Sequence, residues 1–482
     1  MIESRIESQN FIGGKWSSAD SGETAEIINP SKPSEVLGVT PNSGSTEVSR
    51  AVEAAADALP EWKSMLPSAR GAIMMKAADV IESKTDELAR LMARETGKPM
   101  GESLMEVARA AAIFRYYGSE GWRLAGTMPP STRPGIQISS VREPLGVVAL
   151  VTPWNFPLAI PSWKMAPALI CGNTIVVKPA SNAALNAAAL MNVLSEAGLP
   201  DGVVNMVTGS GGAVGDPLVT DPRVKGVSFT GSTSVGLGIQ ERAVGKKVQL
   251  EMGGKNPYVV MEDADLTDAA QKVAFSAFGY AGQKCTATSR AIVVESVYDE
   301  FIEELKSATE ATKFGDVFDD DTAAGPVVNK SQYDDILTAI ETAKSDGRVV
   351  LEGGATGPED DGYFISPAIV ADVDNGSETA QEEIFGPILA VIKARDFDHA
   401  IELANDTRYG LTAGIATRSL RYAHEFAERS EVGIVNVNTP TAGVEFQVPF
   451  GGVKESGVGP KEQGTAGLDF YSTWKTVAIR AV

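Results

Sequence analysis

The chain predicts an α/β fold with two parallel-sheet domains, and three observations carry that prediction. Its 482 residues exceed one ordinary domain. From about residue 145 to 250, short apolar runs alternate with helix-like stretches, the rhythm of strands joined by crossover helices. The same rhythm starts again after Asn256.

From Ser45 to Ser119, alanine-rich segments such as RAVEAAADAL and KAADVIESKTDELARLMARETG carry apolar residues at helical spacing. Gly97 and Pro99 stop one helix of this series. IQISSVREPLGVVALVTPW then changes from alternation to the continuous apolar run of a buried strand. A helix over IPSWKMAPALICG, a strand NTIVVKPA, a helix to about Leu199 and a strand GVVNMVTG follow. A strand VKGVSFTGS leads into a helix near Ser234. In the second half, KVQLEMGG, RAIVVESVY, YFISPAIVADV and ILAVIKARDF read as strands, separated by helices such as TDAAQKVAFSAFGYAG and YDEFIEELKSATEAT. DFYSTWKTVAIRAV reads as a strand outside the core, with an edge that invites pairing with another subunit. No repeat of 20 to 50 residues is evident.

Composition removes several functions. Acidic residues number 63 against 42 basic, a net charge of −21, which argues against nucleic acid and anionic membranes as partners. No run of 18 apolar residues occurs, and MIESRIESQNFIGGKW lacks a signal-like start, so a cytoplasmic protein is expected. Two cysteines and two histidines offer neither a disulfide framework nor metal spacing, so no metal is expected. The acidity fits solubility, or adaptation to high salt; DVFDDDTAA and GPEDDG are its densest stretches and read as loops.

Cys285, in GYAGQKCTATSR, is the candidate nucleophile, but His399 and His424 sit in polar helical segments and offer it no base. A thiol needs a nearby positive charge or another proton acceptor to react. Cys171, after an apolar helix, reads as a buried structural thiol. Four other segments end apolar strands, where ligands of parallel sheets collect. TPWNFPL holds Trp154 and Asn155 between two prolines, a rigid mount for an amide donor or simply a turn with a packed tryptophan. VVKPAS presents Lys178, a ligand group or a solvated cap. FTGSTSVG joins a strand to a helix whose N-terminus suits a phosphate, though it also fits a plain turn. In LEMGGKNP, Glu251 is either a partly desolvated base or an exposed strand-end carboxylate.

Taken together and in this order, TPWNFPL, VVKPA, FTGSTSVG, LEMGGKNP, GQKCTA, EEIFGP and PFGGVKESGVG resemble the aldehyde dehydrogenase superfamily over essentially the whole chain. The resemblance implies two Rossmann-like domains: a dinucleotide-binding one over 1–121 and 145–255, and a catalytic one over 256–467. Residues 122–144 and 468–482 would form the oligomerisation arm of a homodimer or homotetramer. Cys285 would add to an aldehyde, Asn155 and the Cys285 N–H would hold the oxyanion, and Glu251 would deprotonate the water that cleaves the thioester. The cofactor would contact Thr152, Trp154, Lys178, Gly211, Phe229, Ser232, Glu383 and Phe385. Ser181 stands where NAD-preferring members often carry glutamate, so NADP is expected, with NAD as the alternative.

Within the superfamily, succinate-semialdehyde dehydrogenases carry two arginines for the substrate carboxylate, where this chain has Trp163 and Tyr280. IPSWKMAPAL, AGQKCTATSR and NTPTAGVEFQVPFGG are instead similar to the 2,5-dioxopentanoate (α-ketoglutarate semialdehyde) dehydrogenases. Trp163, Tyr280, Thr286, Gln447 and Phe450 are the candidate substrate residues. A succinate-semialdehyde or broad-specificity enzyme is the alternative. A CoA-acylating enzyme typically lacks the base at Glu251, and a non-enzymatic relative should have lost Cys285, Asn155 or Glu251. A cofactor-free thiol hydrolase would need another base beside Cys285.

Overall fold

A computed structural model describes residues 6–358 and 361–480. Glu359 and Asp360 of the acidic stretch GPEDDG, and Ala481 and Val482 of the terminal arm, lie outside the described residues. The α/β class read from the sequence holds, and the chain forms two large sheets.

The first sheet has eight strands, of which five are parallel and central. In spatial order these are Lys247–Glu251, Val224–Thr230, Val147–Thr152, Thr174–Pro179 and Val204–Met206. Val147–Thr152 and Thr174–Pro179 are apolar almost throughout because helices cover both faces of a parallel sheet. On one face pack Pro67–Ser83, Met100–Glu120 and Ala159–Ile170; on the other pack Ser45–Ser64 and Thr233–Arg242. The helical series breaks at Gly97, which has φ 72°, a conformation that suits a residue without Cβ, and its N–H caps Ala93 O at 3.1 Å. The edges depart from the simple βαβ reading. Asn10–Ile12 and Lys15–Ser17 extend one side, and Gly457–Val458 returns from the far end of the chain to pair antiparallel with Lys247–Glu251. The expected boundary at 256 therefore divides the chain but not the sheet.

The second sheet orders Arg348–Ala355, Ile365–Ala371, Ile388–Ala394, Thr288–Val294, Asn256–Val260, Thr412–Ala416 and Ile434–Val437. All neighbours are parallel except the first pair. Asn256 aligns with Thr288, so the chain entering these two central strands comes from the Glu251 and Cys285 motifs.

Ile136–Pro144 pairs antiparallel with Ser472–Arg480 along nine residues, forming a separate two-stranded ribbon. Within 122–144 one further bridge joins Thr127 to Ser140, and the terminal strand supplies the partner of Ile136–Pro144. Among the described residues, no helix is long and apolar enough to cross a membrane.

Candidate active site

The turn that presents Cys285 is built under strain. After the helix Leu266–Phe278, Tyr280 and Ala281 take φ values of 55° and 52°, left-handed for residues with side chains. Gln283 pins this turn: its Nε2 donates to Tyr280 O and Pro326 O, and its Oε1 accepts from Val328 N at 2.9 Å. Asn256 Nδ2 then holds Cys285 O and Ala287 O, each at 2.8 Å. The result is a fixed backbone with a partly exposed thiol. That thiol borders two hollows at once, a cavity of about 230 Å³ on one side and a cleft of about 360 Å³ on the other.

Burial pushes the Cys285 thiol up to about 12, and the negative charges of Glu383, Glu251 and Glu462 add to the effect. A shift in that direction favours the thiol over the thiolate at neutral pH. Asn155 lines the cleft beside it. Its Nδ2 donates to Gln283 O at 3.1 Å, which orients the side-chain amide, and its backbone carbonyl accepts from Lys98 Nζ at 2.6 Å, which fixes the main chain there. Glu251 is the last residue of its strand and is buried. Burial raises its pKa well above the carboxylate range; Glu462 raises it further, against Lys461 and the N–H of Gly452 at 3.1 Å. Gly451 has φ 147°, and a Cβ there would overlap Glu251 Oε1, so only glycine admits the carboxylate at this point.

The cleft lies at the carboxyl ends of the first sheet's parallel strands, between that sheet and the segment carrying Glu383 and Phe385. Trp154 and Phe385 meet edge to face at 5.6 Å across it. Ser232 caps Thr233–Arg242 with its backbone only, leaving an exposed hydroxyl at the helix N-terminus. Glu383 Oε1 accepts from Gly254 N at 3.1 Å, and a Cβ on Gly253 would overlap Glu383 Oε2. Burial pushes Glu383 up to about 7. A dinucleotide fits these features: a helix N-terminus with free donors for phosphates, an aromatic pair for a flat ring, and a carboxylate for ribose hydroxyls.

Not every expected cofactor residue lines that cleft. Thr152, Lys178, Ser181 and Gly211 lie outside its walls. Lys178 packs beside the short helix Gly211–Gly215; burial lowers its pKa to about 8, and its Nζ donates only to Pro179 O. Phe229 points away from the cleft into the core, beneath Gly231 and Gly236, because successive strand residues face opposite sides. It supports the turn rather than lining it.

The cavity on the other side of Cys285 includes Trp163, Thr286 and Phe450, with the rings of Trp163 and Phe450 tilted against each other at a centroid distance of 5.5 Å. Tyr280 is not among its walls: the ring is fully buried and its hydroxyl donates to Thr96 O at 3.2 Å. Gln447 is exposed and bonds Glu445. Four charged wall residues escaped the sequence reading, Glu102, Glu106 and Arg109 of Met100–Glu120 together with Lys284. The available signal was a set of charges at i, i+4 and i+7 in an alanine-rich helix whose neighbours Ala110 and Ile113 are buried. Glu462 also escaped: it accepts from Trp163 Nε1 at 2.7 Å and from Lys164, and Lys164 donates to Ser228 at 2.8 Å.

A nucleophilic thiol between an apolar cavity and a dinucleotide-shaped cleft, with an acid of raised pKa behind it, defines an aldehyde-oxidising class of protein. Residues 16–477 match the aldehyde dehydrogenase family, and the chain belongs to it. The chain is 44% identical over 476 residues to the alpha-ketoglutaric semialdehyde dehydrogenase of Bacillus subtilis (strain 168), covering 98% of both proteins. It is 43% identical to the 2,5-dioxopentanoate dehydrogenase of Saccharolobus solfataricus, covering 98% of this chain and 99% of that one. Among solved structures it is similar to an E. coli NADP dependent enzyme, with 37% identity, a TM-score of 0.94 and 98% of each chain covered.

Proposed function

We propose that the protein oxidises 2,5-dioxopentanoate to 2-oxoglutarate with a nicotinamide dinucleotide, NADP in preference to NAD. The observation that carries the reading is the place of Cys285, the one candidate nucleophile that borders both cavity and cleft. The two relatives named above, both for this substrate, support it across the full length of the chain.

In this reading the Cys285 thiol gives up its proton to solvent and Sγ attacks the aldehyde carbon entering from the cavity, the carbonyl π pair moving to the oxygen. Asn155 Nδ2 and the Cys285 N–H receive the developing oxyanion, which an aligned donor stabilises more in the transition state than in the ground state. A dinucleotide held beside Trp154, Ser232 and Glu383 would supply the two-electron oxidant, an acceptor for the former aldehyde hydrogen as hydride. Cys285 is left as a thioester, and Glu251 takes a proton from the water that attacks it. Burial raises the pKa of Glu251 and so strengthens it as a base, and Gly452 N–H holds its carboxylate in place.

Glu383 would grip the nicotinamide ribose, Ser232 the pyrophosphate, and Lys178 the adenosine ribose. Thr152 and Gly211 complete the proposed path at the same end of the sheet. The absence of a carboxylate at Ser181 favours a 2′-phosphate. Initial rates with 2,5-dioxopentanoate, succinate semialdehyde and pentanal, each with NAD and NADP, test the assignment. A clear advantage of succinate semialdehyde in kcat/KM would overturn the substrate.

The ribbon of Ile136–Pro144 and Ser472–Arg480, with Trp474 and Ile479 exposed on it, is proposed as the contact between subunits of a cytoplasmic dimer or tetramer. Light scattering on the purified protein tests this. The net charge of −21 supports work in high salt, and loss of activity in molar salt would refute that.

A further inference from the structure

The cavity beside Cys285 is walled largely by apolar groups, among them Met105, Phe156, Phe275 and Val444. Charged groups interrupt those walls, and all but one are satisfied within the protein. Glu106 Oε1 accepts from the N–H groups of Leu158 and Ala159, each at 2.9 Å, and its Oε2 pairs with Lys98. Glu102 pairs with Lys284 at 2.7 Å. Arg109 is the exception. Its Nε and Nη2 are both buried, and neither has a hydrogen-bond partner. Glu106 and Glu445 lie near enough to act on it electrostatically, but Glu106 is already taken by other donors and the Glu445 carboxylate bonds Gln447.

Two adjacent guanidinium donors left without acceptors are costly in a dry site unless a ligand completes them. Nε and one Nη are spaced to meet the two oxygens of a carboxylate side by side. The arginine also resolves a gap in the sequence reading, since the two places searched for a carboxylate-binding arginine hold Trp163 and Tyr280.

We propose that Arg109 is the substrate's carboxylate anchor, its Nε and Nη2 clasping an acid group at the far end of an aldehyde whose reactive carbon lies at Cys285. This rests on the aldehyde-oxidation reading of Cys285 and deepens it: the substrates are semialdehydes of short dicarboxylic acids, and neutral aldehydes of the same length are poor. The apolar walls take the methylene chain, and Arg109 selects the charge. Arg109 touches substrate and not the reacting atoms, so its removal acts on KM more than on kcat.

The test pairs acid and neutral substrates of similar length, 2,5-dioxopentanoate with pentanal and succinate semialdehyde with butanal, on the wild type, Arg109→Met and Arg109→Lys. With Arg109→Met, KM for the acids should rise about 10- to 100-fold, the range of a lost charge-assisted pair, while the neutral aldehydes change less than about twofold. Arg109→Lys should fall between. Retained activity on neutral aldehydes and an unchanged thermal melt show that the variants fold; should Arg109→Met fail to fold, Arg109→Lys and the wild-type preference for acids carry the decision. Equal losses on acid and neutral substrates, an unchanged KM for the acids, or a wild type indifferent to the acid group would overturn the anchor. If the wild type rejects 2,5-dioxopentanoate but shows the same arginine-dependent preference with succinate semialdehyde, the anchor stands and the proposed substrate falls.

Discussion

Trp163 donates its indole N–H to Glu462 across 2.7 Å, so a wall of the cavity beside Cys285 and the acid that acts on Glu251 belong to one hydrogen-bonded unit. Glu462 also holds the buried Lys164. Its negative charge favours the protonated form of Glu251. Glu462→Gln should therefore lower the Glu251 pKa and move the acid limb of the kcat profile to lower pH by about one unit. The same change leaves Lys164 buried without its counter-charge, which should cost about 3 kcal/mol or more in denaturant unfolding. A profile that stays in place would mean that Glu462 does not tune the base.

Glu251 and Cys285 should separate kinetically. If Glu251 acts on water and not on the thiol, Glu251→Gln still forms the thioester and reduces cofactor once. Rapid mixing should then show a burst of about one equivalent per Cys285, followed by turnover slowed about 10²- to 10⁴-fold. Cys285→Ser should show no burst. Loss of burst and turnover together in Glu251→Gln would place the glutamate before acylation.

How far the site could be read beforehand depended on what each residue's position follows from. Glu251 and Asn155 stand in short motifs at strand ends of the first sheet, where backbone direction alone brings them to one edge, and Cys285 stands in a tight turn just before Thr288–Val294 of the second. The α/β rhythm was legible because buried parallel strands are continuous apolar runs. Arg109 was not, since its helix lies far from the motifs in sequence and only packing decides that one charged stripe faces the cavity. Phe229 and Tyr280 sit inside the right motifs but point away from the hollows, Phe229 by strand alternation and Tyr280 by the left-handed turn. The partner of the terminal strand depended on a pairing across more than 300 residues, which no local pattern reveals.

If Glu383 grips the ribose as proposed, cofactor binding should depend on pH. Burial pushes its pKa up to about 7, so the carboxylate that would accept ribose hydroxyls is ionised above that value and protonated below it. Cofactor affinity should thus weaken as pH falls through 7, by up to about tenfold per unit. Trp154, on the wall of the cleft, provides a fluorescence signal for the titration. Glu383→Gln should bind more weakly at pH 8 and lose the dependence. An affinity independent of pH between 6 and 8 in the wild type would remove Glu383 from the ribose.

Ser181 tests the choice of dinucleotide. It is exposed at the start of the turn after the strand Thr174–Pro179, three residues beyond Lys178 and with no acid in that turn. Ser181→Glu places a negative charge where the 2′-phosphate is proposed to lie, while the two ribose hydroxyls of NAD gain an acceptor. The ratio of kcat/KM for NADP over NAD should fall by at least about tenfold, through KM for NADP rather than kcat. Because the residue is on the surface and away from Cys285, stability should change by less than about 0.5 kcal/mol. An unchanged ratio would show that the 2′-phosphate lies elsewhere, and Lys178, with a pKa lowered to about 8 and no carboxylate partner, would be the next residue to replace.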